Sequence, residues 1–172
     1  MRVIGAIVAL AAALALQTTL AGLTVGGATY VNLALVAVIY LALAFGPVAG
    51  LFAGTAGGLV QDALAGGVIG VGGFAKTLVG FVVGVLGAQF IVSHSLPRLV
   101  MFVSGTVIHE VCYQAMYALV EGRAFRVHWS TTVIQAAVNG LVGILAFAVM
   151  ENGPGLLQRR RARGVTLSRR HY

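Results

Sequence analysis

A bundle of about six membrane-crossing α-helices is the fold class this sequence predicts, and three observations predict it. Charged residues make up 9% of the 172 positions and hydrophobic residues 59%, whereas a soluble domain carries roughly 25% charged residues. The mean hydropathy is +0.99. Six apolar runs follow one another, each bounded by polar, glycine or proline residues. A bilayer's hydrocarbon core is about 30 Å thick and takes about 20 apolar residues per helical crossing. One membrane domain over residues 1–152 and a basic cytoplasmic tail over 153–172 therefore account for the whole length.

The runs can be placed in order from their punctuation. The first extends from Val3 to about Leu23, where TVGGATY closes it. The second covers Tyr30 to Phe45 and stops at Gly46-Pro47. The third starts at Pro47, a residue suited to a first helical turn, and reaches about Leu64. The glycine-rich turn AGGVIGVGG leads to the fourth, from Gly73 to Val92, and SHSLPR separates that from the fifth, Leu96 to Val120. EGRAFRVHWS is the longest internal loop, and the sixth run spans Thr131 to Met150. The first run also has the layout of a secretory signal, with Arg2, an apolar stretch and small residues at Ala21-Gly22. Its length and the polar Gln17-Thr18-Thr19 interruption favour a retained span.

Orientation follows from Lys and Arg in the short loops. With six spans the two termini share a side. That side holds Arg2, Arg98 and the tail residues Arg159, Arg160, Arg161, Arg163, Arg169 and Arg170, while the other holds Arg123 and Arg126. Both termini are expected in the cytoplasm. The net charge of +7 does not suggest nucleic-acid binding, because the tail holds six of the eleven basic residues with no aromatic platform among them. Clustered arginines beside a membrane attract anionic lipid headgroups instead, at about 1 kcal/mol each. Trp129 and Tyr117 read as interfacial belt residues. The single cysteine, Cys112, excludes an internal disulfide.

Glycines recur every four residues in the third run, at Gly46, Gly50, Gly54 and Gly58. A second row holds Gly72, Gly80, Gly84 and Ala88. Small residues let membrane helices approach closely. A hairpin turning at Ile69 sets Gly58 opposite Gly80, Gly54 opposite Gly84, Gly50 opposite Ala88 and Asp62 opposite Lys76. Those two charges read either as a recognition site or, more simply, as an ion pair pinning the hairpin with Lys76 snorkelling outward.

The fifth run is the most polar. Thr106, Glu110, Tyr113, Gln114 and Tyr117 share one helical face. A bare carboxylate at Glu110 is costly inside a bilayer. Two readings stand side by side: a proton-coupled or ligand-binding carboxylate, or a buried clasp to Gln135 and Asn139 of the sixth run. His109-Glu110 begins like the zinc-protease signature, but position 113 is Tyr113 and the second histidine ligand is missing. Cys112 and His109 lack a third orienting group. No cofactor, metal site or enzymatic activity is expected.

The stretch GPVAGLFAGTAGGLVQDALAGGVIGVGGFAKTLVGFVVG resembles the central part of the rod shape-determining MreD family. The resemblance rests on Gly46-Pro47, the glycine-rich helix from Gly54 to Asp62, the loop Gly66 to Gly73, and the Leu78 to Phe81 run. It covers about a quarter of the chain. Many family members have arginines before the Gly-Pro break, where this chain has Ala44-Phe45, and a tyrosine where this chain has Phe81. The resemblance implies a non-enzymatic bacterial inner-membrane scaffold for cell elongation, binding MreC and linked to MreB, RodA and its transpeptidase partner. It also implies a fold similar to the S components of energy-coupling-factor vitamin transporters. The second functional reading follows from that: a solute-binding subunit with Glu110, Gln114, Gln135 and Asn139 around a midplane pocket, and Ala9/Ala13 or Ala11/Ala15 docking a transporter core. An enclosed, dry-walled cavity of at least about 300 Å³ touching Glu110 would favour this second reading.

Overall fold

In the computed structural model, residues 2–20, 30–90 and 94–168 are described, and they form six α-helices with no strand among them. These are α1 (Arg2–Leu20), α2 (Leu33–Phe45), α3 (Pro47–Ala65), α4 (Val71–Gln89), α5 (Ser95–Val120) and α6 (Trp129–Ser168). Among the described residues four segments are long and apolar enough to cross a membrane: α3, α4, α5 and the Trp129–Met150 part of α6. Each expected run holds one helix, but α1 and α2 contain only shorter apolar stretches, Ile7–Thr19 and Leu33–Phe45, and α6 continues past Met150 to Ser168, so the backbone at Arg159–Arg163 is helical. Leu and Arg are good helix formers, which favours that continuation. Ala21-Gly22, Arg169 and Arg170 lie outside the described residues.

At 13 residues, α2 is about 20 Å long by helical rise, short of a hydrocarbon core of about 30 Å. It is the centre of the bundle and touches every other helix. Leu35, Val38 and Ile39 are fully buried, and Leu35, Val36, Ile39 and Ala42 pack with Val79, Val83 and Phe102 into one core cluster. A helix apolar all round is suited to such a position. It ends at Gly46, whose φ of 90° only glycine adopts readily, and Pro47 starts α3 without needing an amide partner.

The α3–α4 hairpin is the most extensive interhelical contact. A Cβ on Gly50 would collide with the Gly80 carbonyl, and one on Gly80 with the Gly50 carbonyl. Gly54 lies against the backbone of Lys76 and Thr77, Gly58 against Gly73, and Gly84 against Gly46-Pro47. The Thr55 and Thr77 hydroxyls bond across the seam at 2.8 Å. The glycine rows thus meet, but in a register about two turns from the expected one. Gly58 meets Gly73 and not Gly80, Gly50 meets Gly80 and not Ala88, and Ala88 is exposed.

The cause is Asp62. Its Oδ2 accepts from the amides of Gly70 and Gly73 at 2.9 and 3.1 Å, drawing the start of α4 alongside the last turn of α3. Left-handed Gly66 (φ 67°) and Gly70 (φ 105°) let the five-residue connection double back. Asp62 therefore does not pair with Lys76.

Replacing Gly54 or Gly84 by Leu should separate backbones now in contact and cost at least the 1–3 kcal/mol typical of overpacking. Melting of each variant in detergent should fall clearly below that of Gly5→Leu, whose Cβ meets nothing within 4 Å. Equal melting of all three would contradict the close-packed seam.

Candidate functional site

A cavity of about 600 Å³ lies at the end of the bundle away from Gly46-Pro47. Every helix contributes to it or to its edge. Gln17 of α1 and Asn32 before α2 form one part of its wall. Gln61, Asp62 and Ala65 close α3, and Lys76 comes from α4. His109, Glu110, Tyr113 and Gln114 project from α5, while His128, Thr131 and Gln135 come from the start of α6.

The floor exists because α2 stops short. Its first amides would be orphaned inside the bundle, and polar side chains from both flanks satisfy them. Asn139 Oδ1 accepts from Asn32 N at 3.0 Å, Gln17 Oε1 from Leu33 N at 2.6 Å, and Asn32 Oδ1 from Leu35 N at 3.1 Å. Asn139 also donates to Thr106 Oγ1 at 3.3 Å. Both Asn139 and Thr106 are fully buried.

Lys76 does not snorkel. It is 2% exposed, and its Nζ lies 3.3 Å from His109 Nε2. His109 Nδ1 lies 3.2 Å from Glu110 Oε1. One tautomer satisfies the whole chain: the ammonium donates to Nε2, and Nδ1–H donates to the carboxylate. Gln114 Nε2 donates to Glu110 Oε2 and to Thr132 Oγ1, both at 3.4 Å, while its Oε1 accepts from His128 N at 2.9 Å. Buried charges are tolerated when paired and hydrogen-bonded in this way.

The expected clasp from Glu110 to Gln135 and Asn139 is therefore not what forms. Glu110 binds His109 and Gln114, Gln135 lines the same cavity, and Asn139 sits beneath it capping α2. Tyr117 is more than a belt residue, because its hydroxyl accepts from Val68 N at 3.1 Å and ties α5 to the α3–α4 turn. Trp129 is exposed, as a belt residue would be. Among the described residues no three His, Cys, Asp or Glu side chains converge as metal ligands. Sequence reasoning missed the Lys76–His109 contact and the capping role of Gln17. The available signal was that Gln17, Asn32 and Asn139 are amide side chains set within or beside apolar runs.

Compared with protein-family models, curated proteins and solved structures, the chain matches none.

The linked Lys76, His109 and Glu110 should behave as a unit. Lys76→Met and Glu110→Gln should each lower detergent stability, with a coupling of about 0.5–3 kcal/mol in the double-mutant cycle, since removing both charges relieves the unpaired one. Strictly additive melting losses would contradict the relay. Separately, Asn139→Leu should cost about 1–3 kcal/mol by leaving the Asn32 amide without its acceptor, while Val133→Leu on the exposed side of α6 should leave melting unchanged.

Proposed function

We propose that this protein is a non-enzymatic scaffold of the bacterial cell-elongation complex. It resides in the inner membrane with both termini in the cytoplasm and binds MreC, as the resemblance to the MreD family implies. The observation that carries this reading is the stretch from Gly46 to Gly84. Of the residues that bear the resemblance, Gly46-Pro47, Gly54, Gly58, Gly73 and Gly80 have backbones that meet in the α3–α4 seam. A scaffold needs a rigid frame, and close helix contact over glycines supplies one. In this orientation the polar cavity opens toward the exterior, where the bulk of a single-span partner would lie, and the basic extension of α6 enters the cytoplasm. There it meets anionic headgroups, and RodA, its transpeptidase partner and MreB act in the same assembly.

The cavity favours a second reading, a solute-binding subunit like the S component of a vitamin transporter. Its volume of about 600 Å³ is within the usual range for ligand sites, about 300–1,000 Å³, and it touches Glu110. Against this reading, charged and amide side chains, among them Asp62, Lys76, Glu110, Gln61, Gln114 and Gln135, line the cavity, where that reading calls for a dry wall.

Affinity purification of the full chain from its native membrane separates the two. Recovery of a single-span protein whose bulk lies outside the membrane supports the scaffold. Recovery of a stoichiometric vitamin-like molecule without such a protein overturns it in favour of the transporter subunit. Truncation after residue 157 should weaken binding to vesicles rich in anionic lipid at least tenfold without changing the melting of the bundle. Unfolding or loss of the expressed protein would contradict the assignment of the arginines to a surface-binding extension.

A further inference from the structure

The cavity wall holds acceptors that nothing in the protein satisfies. Gln61 Oε1 is buried with no hydrogen-bond partner. Gln135, on the facing helix, is 4% exposed and lines the cavity, and no hydrogen bond reaches its side chain among the described residues. A buried unsatisfied amide oxygen costs roughly 1–3 kcal/mol; Gln61 Oε1 is in that position, while the amide of Gln135 faces the cavity and is open to whatever occupies it.

The charges around the cavity give that ligand its sign. Asp62 and Glu110 are acidic and Lys76 is basic, so with His109 and His128 neutral the formal sum is −1 (two negative, one positive). Lys76 Nζ lies 3.3 Å from His109 Nε2, and its single positive charge is outnumbered by the two carboxylates. Asp62 uses Oδ2 for both glycine amides, while Oδ1 lies over Gly72, where a Cβ would displace it. Ala65 brings the carbonyl end of α3 to the wall, while Asn32 and Thr131 bring the amide ends of α2 and α6, so the helix poles do not set the sign. In a site of low dielectric the net formal charge of −1 favours a positive group. A metal ion is a poor occupant, since no three suitable ligands converge among the described residues.

We propose that this cavity binds an organic cation, a primary ammonium or guanidinium group. Its charge lies against Asp62 and Glu110, and its N–H donors are taken by the side-chain carbonyls of Gln61 and Gln135. The volume accommodates a several-carbon amine or a single lysine or arginine side chain. The inference goes beyond both functional readings. A scaffold would use the site to read a basic residue of its partner, and a solute-binding subunit would use it to hold a free amine.

The test uses the full chain in non-ionic detergent, with agmatine and a tri-lysine peptide as cationic probes and glutarate as the anionic control. Calorimetric titration should show saturable binding of at least one cation and none of glutarate. Gln61→Met and Gln135→Met should each weaken that binding at least tenfold while keeping or raising melting temperature, because each removes a polar group that lacks a partner. Asp62→Asn should weaken it further, and the two glutamine variants keep the outcome readable if that substitution disturbs α4. Tighter binding of the peptide assigns the cation to a polypeptide, and tighter binding of agmatine to a free solute; both carry the proposal. Binding of glutarate, binding unchanged in both glutamine variants, or no binding of either cation would overturn it. None of these failures bears on which partner co-purifies with the chain.

Discussion

The arrangement depends on one constraint: the central helix is shorter than the apolar layer its neighbours are built to cross. A backbone that ends inside a bundle leaves amides with no water to bind. Gln17 and Asn139, from helices on either side of α2, supply the missing acceptors. Once polar groups gather at that depth, an apolar filling above them becomes unfavourable. The space above α2 is accordingly lined by amides, carboxylates and imidazoles. Cavity and short helix are thus two aspects of one arrangement.

The α3–α4 seam determines what the cavity contains. Glycine rows allow the two backbones to touch, and Asp62 decides how far along they slide. By holding Gly70 and Gly73, it sets Lys76 at a level where its side chain reaches His109 of α5. In a register two turns away, Lys76 would stand elsewhere, and the Lys76–His109–Glu110 chain would not form. The same seam that gives the bundle its rigidity therefore positions its most polar cluster.

How much of this was legible in the sequence follows from the period of each signal. Helix limits were readable because glycine, proline and polar residues punctuate them, and Gly46-Pro47 marked the α2–α3 junction to the residue. The pairing of the glycine rows was readable, but their register was not. A row repeating every four residues offers similar small-residue faces when slid by one or two turns, so Gly58 against Gly73 and Gly58 against Gly80 look alike on paper. The decision lay in backbone amides of the turn, which carry no side-chain signature. The shared face of Glu110, Tyr113 and Gln114 was visible from spacing alone. The partnership of Lys76 with His109 joins two helices whose relative rotation no periodicity encodes. Of the two readings of Glu110, the clasp to Gln135 and Asn139 does not form, because Asn139 is committed to the start of α2.

The central claim, a water-accessible polar cavity standing on the buried end of α2, is tested most directly by cysteine accessibility. In a Cys112→Ala background, single cysteines at Gln61, Gln135 and Ile39 would be treated with a membrane-impermeant maleimide in sealed, oriented vesicles. The account predicts labelling at positions 61 and 135 from the face opposite the carboxyl-terminal tail, and none at position 39. Protection of positions 61 and 135 from both faces, or labelling of position 39, would contradict it.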